Sequence, residues 1–270
     1  MARSHRSTLC SKKKKKRTTK MNRPTTAVLD GDMIAHLSAY VCTDAEELPM
    51  FLRQRIRAWT PPNVKHVYIA RSATREDNYR RDYWPEYKAH RDKANVDEVL
   101  STRIEYAKEL LAEDVLRDKF VETLEADDLM GIAASAGKAI AVTLDKDLLS
   151  VPGWHFRPEY SHPGKVQEDG TRPRITHEAT EIFQTPWAAD LEFHKQWLTG
   201  DKTDNFGGID GIGPAKAYKW LKQFSPADYS DAVRVMYDRK GLDEDYCEAM
   251  RACARILRIE DWDAEQGLRK

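Results

Sequence analysis

Cysteine is scarce in this chain: four in 270 residues (Cys10, Cys42, Cys247, Cys253), with no C-x-x-C spacing among them. That argues against a disulfide framework and a structural zinc site, and for a reducing, cytoplasmic setting. Long apolar runs are missing too. No stretch of about 18 apolar residues occurs, which excludes a transmembrane helix and any expected membrane partner. The basic N-terminus has no apolar segment behind it, so it is not a secretory signal. Net charge is also absent, with 44 Lys+Arg against 44 Asp+Glu. The balance hides a division. Residues 1–23 hold ten of the cations and none of the acids, leaving the rest of the chain at 34 against 44, a net of −10. Tail and body must be argued separately.

The Lys12–Lys16 run has no apolar periodicity, so residues 1–23 are expected to be a disordered basic tail. It reads as a solvated segment or an extension ahead of a start at Met21. A phosphate-binding arm is the sharper reading, and nuclear import fits on composition alone. From Thr25 the body alternates strands and helices. Thr25–Leu29, Val64–Ala70 and Ala139–Thr143 read as short strands. Val99–Leu116 and Asp127–Ala136 read as helices between them. Buried strands separated by helices predict an α/β fold with a mainly parallel sheet covered on both faces. Beyond about residue 187 strands stop and helices continue through to Arg258, interrupted by a Gly-rich loop.

Acids gather where strands end. Asp30 follows one apolar strand, and Asp145 and Asp147 follow another. Carboxyl ends of strands form the ligand crevice of an open α/β sheet, so two strands delivering Asp to that edge signal a site. Glu125, Asp127 and Asp128 open a helix, where one acid would suffice for capping. Asp201 and Asp204 lie just past another helix, on one face if that segment is helical. Eight acids without interleaved His suit two or more hard ions, Mg²⁺ or Mn²⁺, rather than zinc. Paired ions are a recurring device for phosphodiester hydrolysis.

Gly207–Ala217 places four glycines and Pro214 between two helices. No Gly-Lys-Ser/Thr ends the loop and no strand precedes it, so it is not a P-loop. Such a turn brings backbone amides to a DNA phosphate, with Lys216, Lys219 and Lys222 as a basic stripe. Asn78–Lys93 mixes cations with four aromatics, which suits phosphates and stacking on bases, although cations snorkelling over core aromatics look the same.

Five strings carry a resemblance: Leu29-Asp30-Gly31, Tyr79-Arg80 with Pro85 to Lys88 and Arg91, Glu125 to Asp128, Thr143 to Asp147, and Gly200 to Asn205 with Gly211-Ile212-Gly213. In this order they resemble the flap endonuclease and 5′–3′ exonuclease family, which includes the 5′-nuclease domain of DNA polymerase I and stand-alone phage exonucleases. The resemblance implies a PIN-like nuclease core over 24–186, with a helical arch at about 78–120. A helix-three-turn-helix DNA-binding region and C-terminal helices would follow over 187–270. It implies that Asp30, Glu125, Asp127 and Asp128 hold one metal region, and Asp145, Asp147, Asp201 and Asp204 its neighbour. Arg80, Lys88 and Arg91 would lie in the arch and steer the scissile phosphate. Gly208, Gly211 and Gly213 would grip the duplex with Lys216, and a K⁺ ion would sit on the carbonyls of the turn.

The expected partners are duplex DNA with a 5′ end or flap and RNA–DNA primer hybrids, met by a monomer. The absence of a polymerase region points to a free-standing phage protein in the host cytoplasm. In one respect the chain departs from the pattern. Relatives carry an Asp after the second strand, whereas Ala70–Thr74 has none; Glu76 or Asp77 would have to substitute through a shifted loop, or the site runs one acid short. Two competing readings are a PIN-type ribonuclease and a structure-specific DNA-binding protein with an incomplete metal site.

Overall fold

The computed structural model describes residues 22–90, 97–114, 117–165 and 171–269. Arg91 and most of the basic tail lie outside the described residues. Arg23, counted with the tail from sequence, belongs to the body: its guanidinium pairs with Glu181 at 2.7 Å and donates to the Pro62 carbonyl at 2.9 Å.

A six-stranded sheet forms the core. Its strands are β1 (Thr26–Asp30), β2 (His66–Ala70), β3 (Asp118–Lys119), β4 (Ile140–Val142), β5 (Gly153–Arg157) and β8 (Thr180–Gln184), in the order β3-β2-β1-β4-β5-β8. All neighbours are parallel except β5 and β8. The three strands anticipated from apolar runs are the three central ones. Sequence reading missed β5, whose Trp-His-Phe-Arg run lacks a clean apolar pattern, and β8, a largely exposed edge strand. Between them a hairpin of β6 (Tyr160–Pro163) and β7 (Arg174–His177) stands apart from the sheet.

Alternation along the central strands divides the core in two. Ala27, Leu29, Ile140 and Val142 face the layer containing α1 (Gly31–Val41), α2 (Leu48–Trp59) and α4 (Glu98–Ala112). Val28 and Ala141 face α5 (Ala126–Ser135) on the opposite side. Each fully buried Leu, Ile or Val here is worth about 1.5–3 kcal/mol. α4 starts on an Asp97 cap and buries Ala107 and Leu111 against the α1 layer, so this part of the expected arch belongs to the core.

A second apolar centre is built from α6 (Pro186–Thr199), α7 (Pro214–Leu221), α8 (Tyr229–Arg239) and α9 (Glu244–Ala254), around Trp197, Tyr229, Tyr237 and Met250. The two halves are stitched together. Arg258 donates to the Ser150 carbonyl at 2.7 Å, and the Leu257 amide donates to Asp128 at 3.0 Å.

The chain leaves β1 towards β2 and β3 on one side, and β4 leads to β5 on the other, so the strand order reverses between β1 and β4. Their register puts Asp30 level with Ala70, and Leu29 level with Val142. Asp30 and the loop after β4 therefore meet at the topological switch point, where open α/β sheets place their ligands.

Candidate active site

Four segments converge on that edge: the end of β1, the loop after β4, the start of α5, and the turn after α6. Between them lies a cavity of about 200 Å³. Its carboxylates are Glu125, Asp127, Asp145, Asp147, Asp201 and Asp204. Asp201 and Asp204 do not share a helix face as the spacing suggested. Their segment is a tight turn closed by the bridge between Asp201 and Phe206, and the turn itself aims both acids inward.

Asp30 lies behind the cavity wall, only 5% exposed. One oxygen caps α1 by accepting from the Met33 amide at 2.9 Å, and the other accepts from the Thr143 hydroxyl at 2.8 Å. It thus clamps β1 to β4. Burial, followed by repulsion from Asp32, raises its pKa to about 7. Burial and the charges of Asp30 and Asp145 hold Asp127 well above the usual carboxylate range. Burial and Asp145 raise Asp147 to about 6. Glu125 goes the other way: burial opposes its charge, but Lys88 and Arg80 bring its pKa below the ordinary value.

Asp128 has a different place from its neighbours. Fully buried, it takes both nitrogens of Arg80 at 2.7 Å, and it also accepts from the amides of Glu125 and Leu257. Its oxygens face away from the cavity, so the expected metal-ligand set loses it. Arg80 is 1% exposed and is no free arch cation; it braces α5, with a further bond to the Arg255 carbonyl at 2.6 Å. Tyr79 and Tyr87 are buried and Trp84 packs on the helical centre. The aromatics of this segment are core, not a base-stacking platform, and only Tyr83 is well exposed.

Lys88 reaches the cavity, and Arg80 also borders it, 3.4 Å from Glu125. The lysine ammonium donates to Glu125 and stands 3.6 Å from Asp204. Burial works against that charge, yet Glu125 and Asp204 raise its pKa above the ordinary lysine value. Its backbone sits at φ 54°, a left-handed conformation unusual for a side-chain-bearing residue. The facing turn holds it there. The Lys88 amide donates to the Asp204 carbonyl at 2.9 Å, Trp84 Nε1 to the Asn205 carbonyl at 2.9 Å, and Asn205 Nδ2 to the Glu86 carbonyl at 2.7 Å. Strain kept by such a lattice of bonds is typical of functional sites.

Glu76 and Asp77 are both exposed, and Asp77 accepts from its neighbour Thr74. Neither stands in for the acid missing after β2. Asp32, which the sequence analysis did not single out, lies there instead. Its Oδ2 accepts from the Ser72 amide at 3.2 Å. Its Oδ1 is buried without a hydrogen-bond partner among the described residues. The signal was present in the sequence as Asp30-Gly31-Asp32, two acids one glycine apart at a strand end.

Residues 26–158, about half the chain, match the family of 5′–3′ exonucleases through its N-terminal resolvase-like domain. The chain belongs to the 5′–3′ exonuclease family. It is 28% identical over 194 residues to a 5′–3′ exonuclease of Halalkalibacterium halodurans, covering 68% of this chain and 58% of that protein. It is 26% identical over 234 residues to DNA polymerase I of Mycobacterium tuberculosis, covering 78% of this chain and 25% of the polymerase. The exonuclease-family chain thus spans little more than half, or a quarter, of these relatives. Its fold is shared with a flap endonuclease of bacteriophage T5 solved with DNA and metal ions, at a TM-score of 0.55 and 12% identity over 84% of this chain and 89% of that one. The sheet and its covering helices are therefore those of a PIN-like nuclease core.

A larger groove of about 910 Å³ runs from the carboxylate crevice at Asp147 and Asp201 to the Gly-rich turn. Pro214 opens α7 as anticipated, and Lys216, Lys219 and Lys222 are all exposed. The glycines differ in their reasons. At Gly208, with φ 61°, a Cβ would fall 2.3 Å from the Gly200 nitrogen, so this glycine serves the chain's own packing. Gly211 and Gly213 have open space around them and can approach a ligand. The carbonyls of these glycines, expected from the resemblance to seat K⁺, each accept a hydrogen bond. Tyr246 OH donates to the Gly208 carbonyl, Lys216 Nζ to that of Gly211 at 2.8 Å, and the Ala217 amide to that of Gly213.

The crevice does suit a hard divalent cation. Its donors are carboxylate oxygens, packed closely enough to raise one another's pKa values, and few cations balance them. Among the described residues, no three His, Cys, Asp or Glu side chains converge as a preformed cage. The acids ring the wall, an arrangement that reaches ions partly through water.

Proposed function

We propose that this chain is a divalent-metal-dependent nuclease that hydrolyses phosphodiester bonds from the 5′ side of duplex DNA, as a 5′–3′ exonuclease or flap endonuclease. The observation that carries this reading is the ring of six carboxylates at the switch point of a PIN-like sheet. RNA in RNA–DNA primer hybrids is a further substrate on this reading, and phage DNA replication or recombination is the proposed setting.

Asp127, Asp145, Asp147, Asp201 and Asp204 are the proposed holders of Mg²⁺ or Mn²⁺, with Glu125 and Asp32 completing the set. Asp30 and Asp128 position the ends of β1 and α5 that carry those acids. Bound there, two such ions would supply Lewis-acid stabilisation of the phosphate and lower the pKa of water. Lys88 is placed to meet a phosphate oxygen once cations relieve it of Glu125 and Asp204. The open glycines of the turn and the lysines of α7 would hold the duplex phosphates through amides and charge. No side-chain nucleophile is required.

The test is a 5′-labelled duplex incubated with and without Mg²⁺. Metal-dependent release of short 5′ products, lost in Asp145→Ala, supports the proposal. Tight binding with no metal-dependent product would favour a DNA-binding protein, and cleavage of RNA alone would favour a ribonuclease.

A further inference from the structure

The β6–β7 hairpin carries a pair of histidines that the nuclease reading does not use. Tyr160 lies opposite His177 in the hairpin register, and His162 opposite Ile175, so the two imidazoles are diagonal neighbours across the strands. Both residues are exposed, and their Nε2 atoms lie 3.2 Å apart. A tetrahedral ion held at 2.0–2.1 Å from two imidazole nitrogens separates them by about 3.3 Å. The pair already has that spacing.

His162 is also set in the required tautomer. Its Nδ1 is 3.0 Å from the Pro163 carbonyl, which can only accept, so the ring proton sits on Nδ1 and Nε2 presents its lone pair towards His177. A ligating histidine anchored through its other nitrogen to a carbonyl is the usual support for a metal. His177 is fixed by stacking on Tyr160, at 4.5 Å between centroids and 9° between planes. Without an ion, His177 donates its Nε2 proton to His162. With one, that proton moves to its own Nδ1, so no net proton is released.

We infer that His162 and His177 form a cross-strand site for a borderline transition-metal ion such as Zn²⁺ or Cu²⁺, its remaining positions filled by water. Imidazole nitrogens select such ions, whereas the carboxylate crevice selects hard ones, so Mg²⁺ does not compete here. The site is separate from the crevice but tied to it. Arg157 stacks over Tyr160 at 5.2 Å and donates to the Leu144 carbonyl at 3.1 Å, one residue before Asp145. An ion on the pair would pin the two hairpin strands beside the loop that carries Asp145 and Asp147.

The experiment is a Cu²⁺ titration followed by electron paramagnetic resonance in excess Mg²⁺, with Zn²⁺ stoichiometry read by calorimetry. The expected result is one equivalent of Cu²⁺ with a two-nitrogen hyperfine pattern. His162→Ala and His177→Ala each lose that pattern and bind Zn²⁺ at this site at least about tenfold more weakly, while Asp145→Ala keeps both. Both histidines are on the surface, and circular dichroism checks that the variants stay folded. A wild-type spectrum without the two-nitrogen pattern overturns the inference. So does a pattern that survives in the histidine variants or disappears with Asp145→Ala.

Discussion

Arg80 and Asp128 are each nearly or wholly inaccessible to water and bind each other through two bonds of 2.7 Å. Removing one partner leaves the other as an uncompensated buried charge, a loss of about 3–5 kcal/mol. Asp128→Ala should therefore lower the stability read by urea unfolding by about that amount. Arg80→Ala combined with it should cost far less than the sum of the two single changes. His194 gives a second prediction at this scale. Its Nδ1 meets the Asp190 carbonyl at 2.7 Å, its Nε2 meets Ser230 Oγ at 3.0 Å, and burial lowers its pKa to about 4. The folded pKa lies below the unfolded value of 6.5, so between those limits the unfolded chain binds more protons. The His194 contribution should therefore fall as pH drops from about 6.5 to about 4, by at most roughly 3 kcal/mol, against the opposite trend from Asp30 and Asp147, whose raised pKa values of about 7 and about 6 make the folded chain the better proton binder. Unfolding series across that window, compared with His194→Phe, check it; an equal slope in the variant would assign the loss elsewhere.

Spacing marked Glu125, Asp127 and Asp128 as one acidic group, because sequence gives charge and helix position. It does not give the partner. Arg80 lies 48 residues away and is brought to Asp128 by the packing of α9 on α3 (Arg80–Tyr83), which turns one acid of the three inward. Asp32 was lost for the converse reason. An acid in the first turn of a helix is ordinary capping chemistry until the fold shows it beside Asp30 and under the Ser72 amide.

Elements show the same division between what pattern carries and what packing decides. β1 and β4 were legible because their apolar runs are buried on both faces, and β2 because its run ends in the buried Ile69 and Ala70. The Gly-rich turn was legible as a turn, but its four glycines within seven residues conceal two functions. Gly208→Ala should be strongly destabilising, since it adds about 1–3 kcal/mol of backbone strain to a clash with backbone at 2.3 Å. Gly211→Ala meets no neighbour and should cost only the left-handed strain, about 1–2 kcal/mol. Thermal unfolding of the two variants separates them; equal losses would mean that the Gly200–Gly208 contact is not what demands glycine.

For the whole molecule, the charge division sets how substrate is met. Residues 22–270 carry 35 cations against 44 acids, and the acids concentrate in the crevice that must receive a phosphate. Duplex binding should therefore strengthen on adding a divalent ion that does not support cleavage. Replacing Lys216, Lys219 or Lys222 by Ala should each reduce the slope of log affinity against log salt by up to about one, measured by fluorescence anisotropy. Unchanged slopes would place the duplex elsewhere. The most direct test of the account is single-turnover cleavage of a 5′-labelled duplex across a Mg²⁺ titration, with binding measured on the same substrate. Wild type should cleave with a steep Mg²⁺ dependence, and Asp145→Ala should bind comparably but cleave at least about a hundredfold more slowly. Cleavage without Mg²⁺, or undiminished in Asp145→Ala, would contradict the assignment of the carboxylate crevice as the seat of the reaction.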